Sequence, residues 1–455
     1  METLDFDACY RAVSARDARF DGRFYTAVKT TRIYCRPICP ARTPSSRNVR
    51  FYRHAASAEA AGFRPCKRCR PELSPGDPGW DVRGDLVGRA LRLIDDGAAD
   101  ERGVAGLAAR LHITERHLHR LFVAELGVGP LAVARTKRLL LAKQLLTETA
   151  LPVTDVAFAA GFGSVRQFNA AMQATYGFTP SEMRATAHRP GVPAALRLRL
   201  NWREPYDVEG LFAFLAARAI PGLESVDGGS YVRVIPGGTI TLTPGRGHVV
   251  LEASLDDTRQ LARVVARCRR LLDLDADPAA ISEALGSTSL APLVAARPGL
   301  RVPGAFDGFE LAVRAIVGQQ ISVAGARTLL GRIVARAGRF PTAEEMAEMD
   351  LSALGLTTRR VATLQDLAGR VASGEIDLDG GQDPADAVAA LLRVPGIGPW
   401  TAGYISLRAL RDPDAWPSGD LVLVKRMDAL GIPQDHLERW RPWRAYAALH
   451  LWSSS

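Results

Sequence analysis

The sequence predicts a multidomain α+β chain, and three observations predict it. Four of the six cysteines fall in two tight pairs inside the first 70 residues. Between residues 81 and 187, two segments about 50 residues apart carry helix-turn-helix punctuation. Beyond residue 195, short alternating stretches give way to a helical pattern that runs to the end and contains a Pro-Gly-Ile-Gly turn. A chain of 455 residues is too long for one core. The pattern divides it into a small zinc domain over 1–76, an all-α double helix-turn-helix domain over 81–187, a small α+β layer domain over 195–278 and an all-α helix-hairpin-helix domain over 281–455.

Composition narrows the function classes. No run of about 18 apolar residues exists, which predicts no membrane span. The N-terminus lacks a basic start followed by an apolar stretch, so it does not read as a signal peptide. A cytoplasmic, reducing compartment is expected, where paired cysteines favour metal over disulfide. The net charge is +9, and residues 1–70 hold 15 Lys and Arg against 6 Asp and Glu, so the whole excess lies with the cysteines. That concentration points to a polyanion partner.

In the first domain, Tyr34-Cys35-Arg36-Pro37-Ile38-Cys39-Pro40 and Pro65-Cys66-Lys67-Arg68-Cys69-Arg70 offer four thiolates at short paired spacings. Zinc is the usual metal for such a set, and a purely structural zinc ribbon is the plainest reading. Together with Asn48-Val49-Arg50-Phe51-Tyr52 and Gly62-Phe63-Arg64, these segments resemble the N-terminal domain of the Ada family over nearly all of residues 5–72. The resemblance implies that Cys35, Cys39, Cys66 and Cys69 hold one zinc. It also implies that Cys35 irreversibly takes a methyl group from a methylphosphotriester in DNA. Ile38 stands where a serine is common. Four thiolates on zinc carry charge −2; methylating one brings the site to −1, which weakens repulsion from DNA. Arg36, Lys67 and Arg68 are the candidate phosphate contacts. Cys9 and Cys268 read as small apolar residues.

The second domain opens on Val104–Phe122, where Thr114 is placed to cap the second helix of the unit. In Val153–Asn169, Gly161 suits the turn and Ser164 the cap. With Tyr176-Gly177-Phe178-Thr179-Pro180-Ser181 closing it, the segment 85–185 resembles the AraC-type regulators. The resemblance implies two recognition helices in adjacent major-groove segments. Glu115, Arg116 and His119, then Arg166, Gln167 and Asn169, are the candidate readers of DNA. His112, His117 and His119 do not form a metal set.

In the third domain, Leu196–Leu200 and Tyr231–Ile235 alternate apolar residues with arginine, and His248–Ala253 are β-rich. Helical runs at Val208–Ala219 and Asp257–Leu272 interrupt these strands, as in a small α+β layer.

The fourth domain turns on Leu392–Gly403. Gly396 and Gly398 are placed to bring backbone N–H groups against a DNA phosphate. Asp420 follows 22 residues after Gly398, in Trp416-Pro417-Ser418-Gly419-Asp420. A lone Asp after Gly reads as a helix N-cap. Paired with the hairpin, it resembles the helix-hairpin-helix DNA glycosylases, where such an aspartate is catalytic. From about Leu196 to Trp452 the resemblance is to AlkA, 3-methyladenine DNA glycosylase II. It is carried by Leu200-Asn201-Trp202, Pro205-Tyr206-Asp207, Phe214–Ala219, Ala296–Arg301, Ala312–Ile316, Pro395–Ala402 and Pro442-Trp443-Arg444.

By this resemblance the last domain is a glycosylase domain. Trp400, Tyr404 and Trp452 line its base pocket, Gln320 takes the place of a leucine wedge, and the hairpin is also a place for a monovalent cation. Electron-rich aromatic faces favour a cationic base such as 3-methyladenine, by about 0.5–2 kcal/mol per good contact. Gln320 is polar and would fill the vacated stack less well than leucine. Glycosylases of this fold that cut the backbone place a lysine just after the hairpin glycines; Trp400 stands there, and no lysine occurs between Lys143 and Lys425. A monofunctional glycosylase without an iron–sulfur cluster is expected. No Pro-Cys-His-Arg motif occurs, so no O6-alkylguanine activity is expected.

The combined expectation is a fused alkylation-damage protein that joins a methyl acceptor, a transcription activator and a base-excising hydrolase. Its partners would be damaged and promoter double-stranded DNA and RNA polymerase, and its place the cytoplasm beside the nucleoid. The rival expectation is a DNA-binding regulator whose glycosylase half is a passive lesion reader.

Overall fold

The computed structural model describes residues 4–77, 86–185 and 196–453. It divides into two compact units: residues 1–203 with 245–266, and residues 204–244 with 267–455.

The first unit begins with a four-stranded sheet in the order β3-β1-β2-β4. Its strands are β1 (Tyr25–Val28), β2 (Ile33–Cys35), β3 (Val49–Tyr52) and β4 (Arg64–Pro65). β1 pairs antiparallel with β2 and β3, while β4 runs parallel to β2. Tyr25, Ala27, Tyr34, Ala55, Ala58 and Phe63 form its core. Cys9 is buried with Ala12, Val13 and Phe24, the small apolar role expected of it.

The helices of this unit follow the expected punctuation, with one substitution. The helix recorded over Ala98–Arg110 breaks at Gly103 (φ 63°), so the first helix of that unit starts at Val104, as the sequence pattern has it. Thr114 Oγ1 accepts from His117 N at 3.2 Å, and Ser164 Oγ accepts from Gln167 N at 3.2 Å. Gly161 takes the left-handed turn position (φ 86°); in the first unit His112 takes it (φ 55°), where a side chain with a local polar group tolerates the strain.

The helix Pro130–Glu148 joins these two units and carries the zinc module on one side. Lys143, 3% exposed, pairs with Glu72 at 2.7 Å and donates to Cys66 O at 3.4 Å. Arg70 pairs with Glu148 at 2.8 Å. Glu59 accepts from Tyr34 Oη at 3.0 Å and from Thr136 Oγ1 at 2.6 Å. Strands β5 (Leu196–Asn201) and β9 (His248–Leu255) pair antiparallel in this unit.

The second unit holds β6 (Glu224–Asp227), β7 (Ser230–Ile235) and β8 (Gly238–Pro244), an antiparallel set with the helix Val208–Arg218 against it. The alternation expected for Tyr231–Ile235 is present with its polarity reversed at one point. Arg233 lies on the buried side and Val234 is 40% exposed. Arg233 pairs with Glu224 at 2.7 Å and with Glu310, and Arg314 bridges the same two carboxylates at 2.7 and 2.5 Å. Two cations and two anions thus compensate each other; a buried arginine without them would be prohibitive. The helices between Gly308 and Leu410 pack on Leu311, Ile316, Leu364, Leu367, Leu391 and Ile405.

Candidate metal centre and candidate active site

Strand pairing assembles the cysteine quartet. Tyr34 of β2 lies opposite Pro65 of β4 in a parallel pair, so the next residue on each strand, Cys35 and Cys66, comes side by side. Cys66 N donates to Tyr34 O at 2.9 Å and Cys39 N to Arg36 O at 3.1 Å, which turns the second cysteine of the first pair back to the site. The four Sγ atoms lie within 4.8 Å of one another. A tetrahedron with Zn–S bonds of about 2.3 Å has sulfurs roughly 3.8 Å apart, so the spacing fits one zinc. All four cysteines are free of disulfide bonds.

Backbone N–H groups of Arg36 and Arg68 point at Cys69 Sγ and Cys66 Sγ, at 3.3 and 3.4 Å. Such donors suit sulfurs that carry negative charge. Hydrogen bonding with the Cys39, Cys66 and Cys69 sulfurs, and then burial, pushes the Cys35 thiol well up from its ordinary value. Four sulfurs this close cannot all ionise by themselves, and a divalent cation among them removes that obstacle. A cavity of about 570 Å³ opens beside Cys35, Cys39 and Cys66, with Thr30, Thr31, Arg42, Lys67 and Arg68 also on its wall.

One of the three candidate phosphate contacts is corrected. Arg36 is 7% exposed, and its guanidinium turns inward. Nε donates to Asp21 Oδ1 at 2.9 Å, Nη2 pairs with Asp21 Oδ2, and Nη1 donates to Cys69 O at 3.1 Å. It braces the metal loop and has no face left for DNA. Lys67 and Arg68 are exposed, and Lys67 Nζ sits 3.9 Å over the Phe178 ring. In the helices Glu115–Leu126 and Val165–Tyr176, the side chains of Glu115, Arg116, His119, Arg166, Gln167 and Asn169 are all exposed. The His119 ring lies close over Gly129, where a Cβ would come within 2.8 Å of it.

In the second unit the hairpin joins the helices Pro384–Leu392 and Pro399–Ile405. Gly396 has φ 97°, and a Cβ there would meet Thr363 Oγ1 at 2.3 Å, so both its conformation and its surroundings demand glycine. Gly398 has an ordinary φ of −96° and caps the second helix. Its chain neighbours aside, no heavy atom of the described residues lies within 4 Å of a Cβ built there. Gln319 Nε2 donates to Gly396 O at 3.0 Å and to Thr401 Oγ1 at 2.9 Å. The neighbouring Gln320 is exposed, with a left-handed φ of 58°.

Asp420 is both a helix cap and the centre of a site. Its Oδ1 accepts from Leu423 N at 2.9 Å, capping the helix Leu421–Ala429. Its Oδ2 accepts from Trp400 Nε1 at 2.7 Å, and Oδ1 also accepts from Trp452 Nε1 at 3.3 Å. Trp400 stacks on Tyr404, with centroids 5.4 Å apart and planes 11° apart; Trp452 meets Tyr404 edge-on at 6.4 Å. The four residues share a cavity of about 520 Å³. Gly403 lets the aspartate's loop come this close, because a Cβ there would lie 2.6 Å from Trp416 O. The structure therefore brings together all four residues expected at this site.

It also adds residues the sequence reading passed over. Phe214, Arg218 and Arg408 line the same cavity. The spacing Trp400, Tyr404, Arg408 is one face of a helix at i, i+4 and i+8, a signal present in the sequence. Asp21 carries no comparable signal, since its partner Arg36 lies 15 residues on, and the Lys143 partner of Glu72 lies 71 residues on.

Three family models match the chain: the metal binding domain of Ada over residues 8–72, a helix-turn-helix domain over 107–186 and the AlkA N-terminal domain over 197–307. A probable bifunctional transcriptional activator/DNA repair enzyme AlkA of Mycobacterium tuberculosis is 47% identical over 99% of this chain and 96% of its own length. The chain belongs to this family. DNA-3-methyladenine glycosylase 2 of Escherichia coli is 37% identical over 56% of this chain and 95% of its own length. The bifunctional transcriptional activator/DNA repair enzyme Ada of Escherichia coli is 35% identical over 42% of this chain and 53% of its own length. With the Ada-type model lying over the quartet and the sulfurs clustered at ligand spacing, the metal centre is one zinc site.

Proposed function

We propose that the chain performs three linked tasks on DNA: irreversible methyl transfer from methylphosphotriesters to Cys35, activation of alkylation-repair genes, and hydrolytic removal of alkylated bases. The working domains would be those drawn from the sequence, 1–76, 81–187, 195–278 and 281–455. The observation that carries the hydrolase reading is the Asp420 carboxylate held by two indole N–H groups at the edge of an aromatic cavity.

In base removal the C1′–N bond breaks, the base departs with the electron pair, and water forms a C1′–O bond while its proton passes to the Asp420 carboxylate. Trp400 and Trp452 hold the carboxylate in one direction, so it meets the positive charge that develops on the sugar without first reorganising. The target nucleotide must leave the duplex to enter the cavity. Gln320, exposed on a left-handed turn, would follow it into the gap; Gln319 ties that turn to the hairpin. The hairpin backbone at Gly396 and Gly398 would hold the phosphate. With tryptophan rather than lysine after the hairpin, the product would be an abasic site.

In methyl transfer the Cys35 sulfur attacks the methyl carbon, an S–C bond forms, and the phosphodiester oxygen leaves with its electron pair. Zinc, held by Cys35, Cys39, Cys66 and Cys69, would keep the attacking sulfur ionised at neutral pH. Cys35 is half-buried against the cavity that Lys67 and Arg68 border, and these two would hold the phosphate. The loss of one negative charge at the quartet strengthens DNA binding, and Glu115, Arg116, His119, Arg166, Gln167 and Asn169 would read promoter sequence for RNA polymerase. No helix among the described residues is long and apolar enough to cross a membrane, in keeping with a cytoplasmic protein working on chromosomal DNA.

The decisive test compares wild type with Asp420→Asn on DNA carrying 3-methyladenine or hypoxanthine. Wild type should release base at least about 100-fold faster; equal rates would leave the passive-reader alternative standing. Mass spectrometry after incubation with methylated DNA should place one added methyl on the Cys35 peptide, and a methyl found elsewhere overturns that assignment.

A further inference from the structure

The second unit exposes eight large apolar side chains among its described residues, and five of them gather about the Asp420 cavity. Ile321, Val323 and Val422 are on its wall; Leu421 and Val424 stand on the helix that begins beside Asp420. Leu421 is the most exposed at 72%, although it lies between two residues of the cavity wall, Asp420 and Val422. The helix Leu421–Ala429 is buried only through Leu423 and Met427. Another of its faces, at i, i+3 and i+4, carries Leu421, Val424 and Lys425, all exposed. An apolar cluster kept in water beside a cavity marks a binding surface.

Position and charge say what covers this face. Asp420, bonded to Leu423 N, Trp400 and Trp452, pins the start of the helix, so Leu421 is held next to the carboxylate. A nucleotide drawn from the duplex into the cavity brings its sugar and the neighbouring sugars past this edge. Deoxyribose carbons are the apolar part of a DNA backbone, and phosphates are the part that lysine holds. Lys425 is the sole lysine of this unit, is exposed, and has no ion pair or hydrogen bond among the described residues. It lies one turn from Leu421, about 6 Å along the helix axis. The other charged residues of the helix are Arg426, half-buried, and Asp428, which ends the face about 10 Å from Leu421. Apolar residues followed by a cation match a strand of alternating sugar and phosphate; an apolar protein surface would leave Lys425 without a counter-charge.

Resting on the hydrolase reading above, we propose that the face of Leu421, Val424 and Lys425 is a strand-positioning surface, whose apolar residues pack on the sugars beside the extruded nucleotide while Lys425 takes a flanking phosphate.

The test follows single-turnover release of hypoxanthine from a duplex by the full-length zinc-loaded chain, with protein well below saturation and salt varied. Leu421→Ser should lower the apparent second-order rate constant by about tenfold or more, with the slope of its logarithm against log salt unchanged. Leu421→Met, apolar and of like size, should keep most of the wild-type rate. Lys425→Met should lower the constant and flatten that slope by about one, as the loss of one phosphate contact requires. A wild-type rate in Leu421→Ser, or a wild-type slope in Lys425→Met, overturns the proposal. So does a wild-type dimer in sedimentation velocity that Leu421→Ser dissociates, since the face then serves a second copy of the chain. Wild-type release that Asp420→Asn abolishes supports the hydrolase reading whatever these variants do. If wild type releases no base, the hydrolase reading fails and this one with it.

Discussion

Asp21→Asn is the sharpest probe of how the metal loop is held. The Asp21 and Arg36 side chains are 7% and 8% exposed and paired through both carboxylate oxygens. Asparagine is isosteric but turns an NH₂ group toward the guanidinium and removes the carboxylate charge paired with it. Arg36 keeps two neutral acceptors, the amide oxygen at position 21 and Cys69 O at 3.1 Å, for a buried cation. Breaking a buried pair in this way costs about 3–5 kcal/mol. For a unit of this size that is a fall of roughly 6–20 °C in melting temperature. Since Cys69 also takes the Arg36 N–H on its sulfur, zinc should be lost at correspondingly lower urea. The assay follows release of zinc to a chromogenic chelator during urea titration of the zinc-loaded chain. It reports the first unit alone, which matters because two compact units need not unfold in one step. The double variant Asp21→Leu with Arg36→Met removes both charges and should recover most of the loss. A single-variant loss below about 1 kcal/mol, or a double variant as unstable as the single, would refute the argument.

Other outcomes follow from the same geometry. Trp400→Phe keeps the ring that stacks on Tyr404 but takes away the 2.7 Å donor to Asp420, so base release should fall by about 10–100-fold with little change in stability, measured under single turnover. Gly396→Ala should loosen the hairpin, because its Cβ meets Thr363 Oγ1 at 2.3 Å and φ is 97°; duplex affinity, read by fluorescence anisotropy, should fall at least about tenfold, and unchanged affinity would show that the hairpin does not hold DNA. Burial pushes the Glu59 carboxyl up to about 7 from 4.5. The folded state therefore holds the proton more tightly than the unfolded one, and the stability this contributes is present below pH 4.5 and is lost as pH rises toward 7, by about 3 kcal/mol. Glu59→Gln should flatten that slope in denaturation curves between pH 5 and 8, and an unchanged slope would assign it to other groups.

The parts of this molecule legible in the sequence are those whose logic is local. Cysteine spacing, the caps at Thr114 and Ser164, and the Gly396 turn each depend on neighbours within a few residues, and each lies where the pattern put it. Arg36 reads as a phosphate contact, and the burial of Arg233 goes unread, for one reason: an arginine cannot be read as buried until its carboxylates are known. Those carboxylates are Asp21 for the first, and Glu224 and Glu310 for the second, none at a spacing that a helix or strand makes visible. His112 in a left-handed turn went unread because glycine is the residue expected there, although Gly161 marks the same position in the companion unit.

Asp420 shows why a bland reading and a sharp one need not compete. The sequence offers a helix cap or a catalytic carboxylate as alternatives, and the structure uses one carboxylate for both. The cap bond to Leu423 N fixes the side-chain rotamer at 2.9 Å, and the two tryptophan bonds fix what remains of its freedom. A carboxylate pinned at the start of a helix also meets the positive end of that helix's dipole, a favourable charge–dipole contact. Capping is therefore part of the preorganisation that base removal needs. Since Asn caps helices about as well as Asp, Asp420→Asn should leave folding nearly intact while removing the charge on which the chemistry depends.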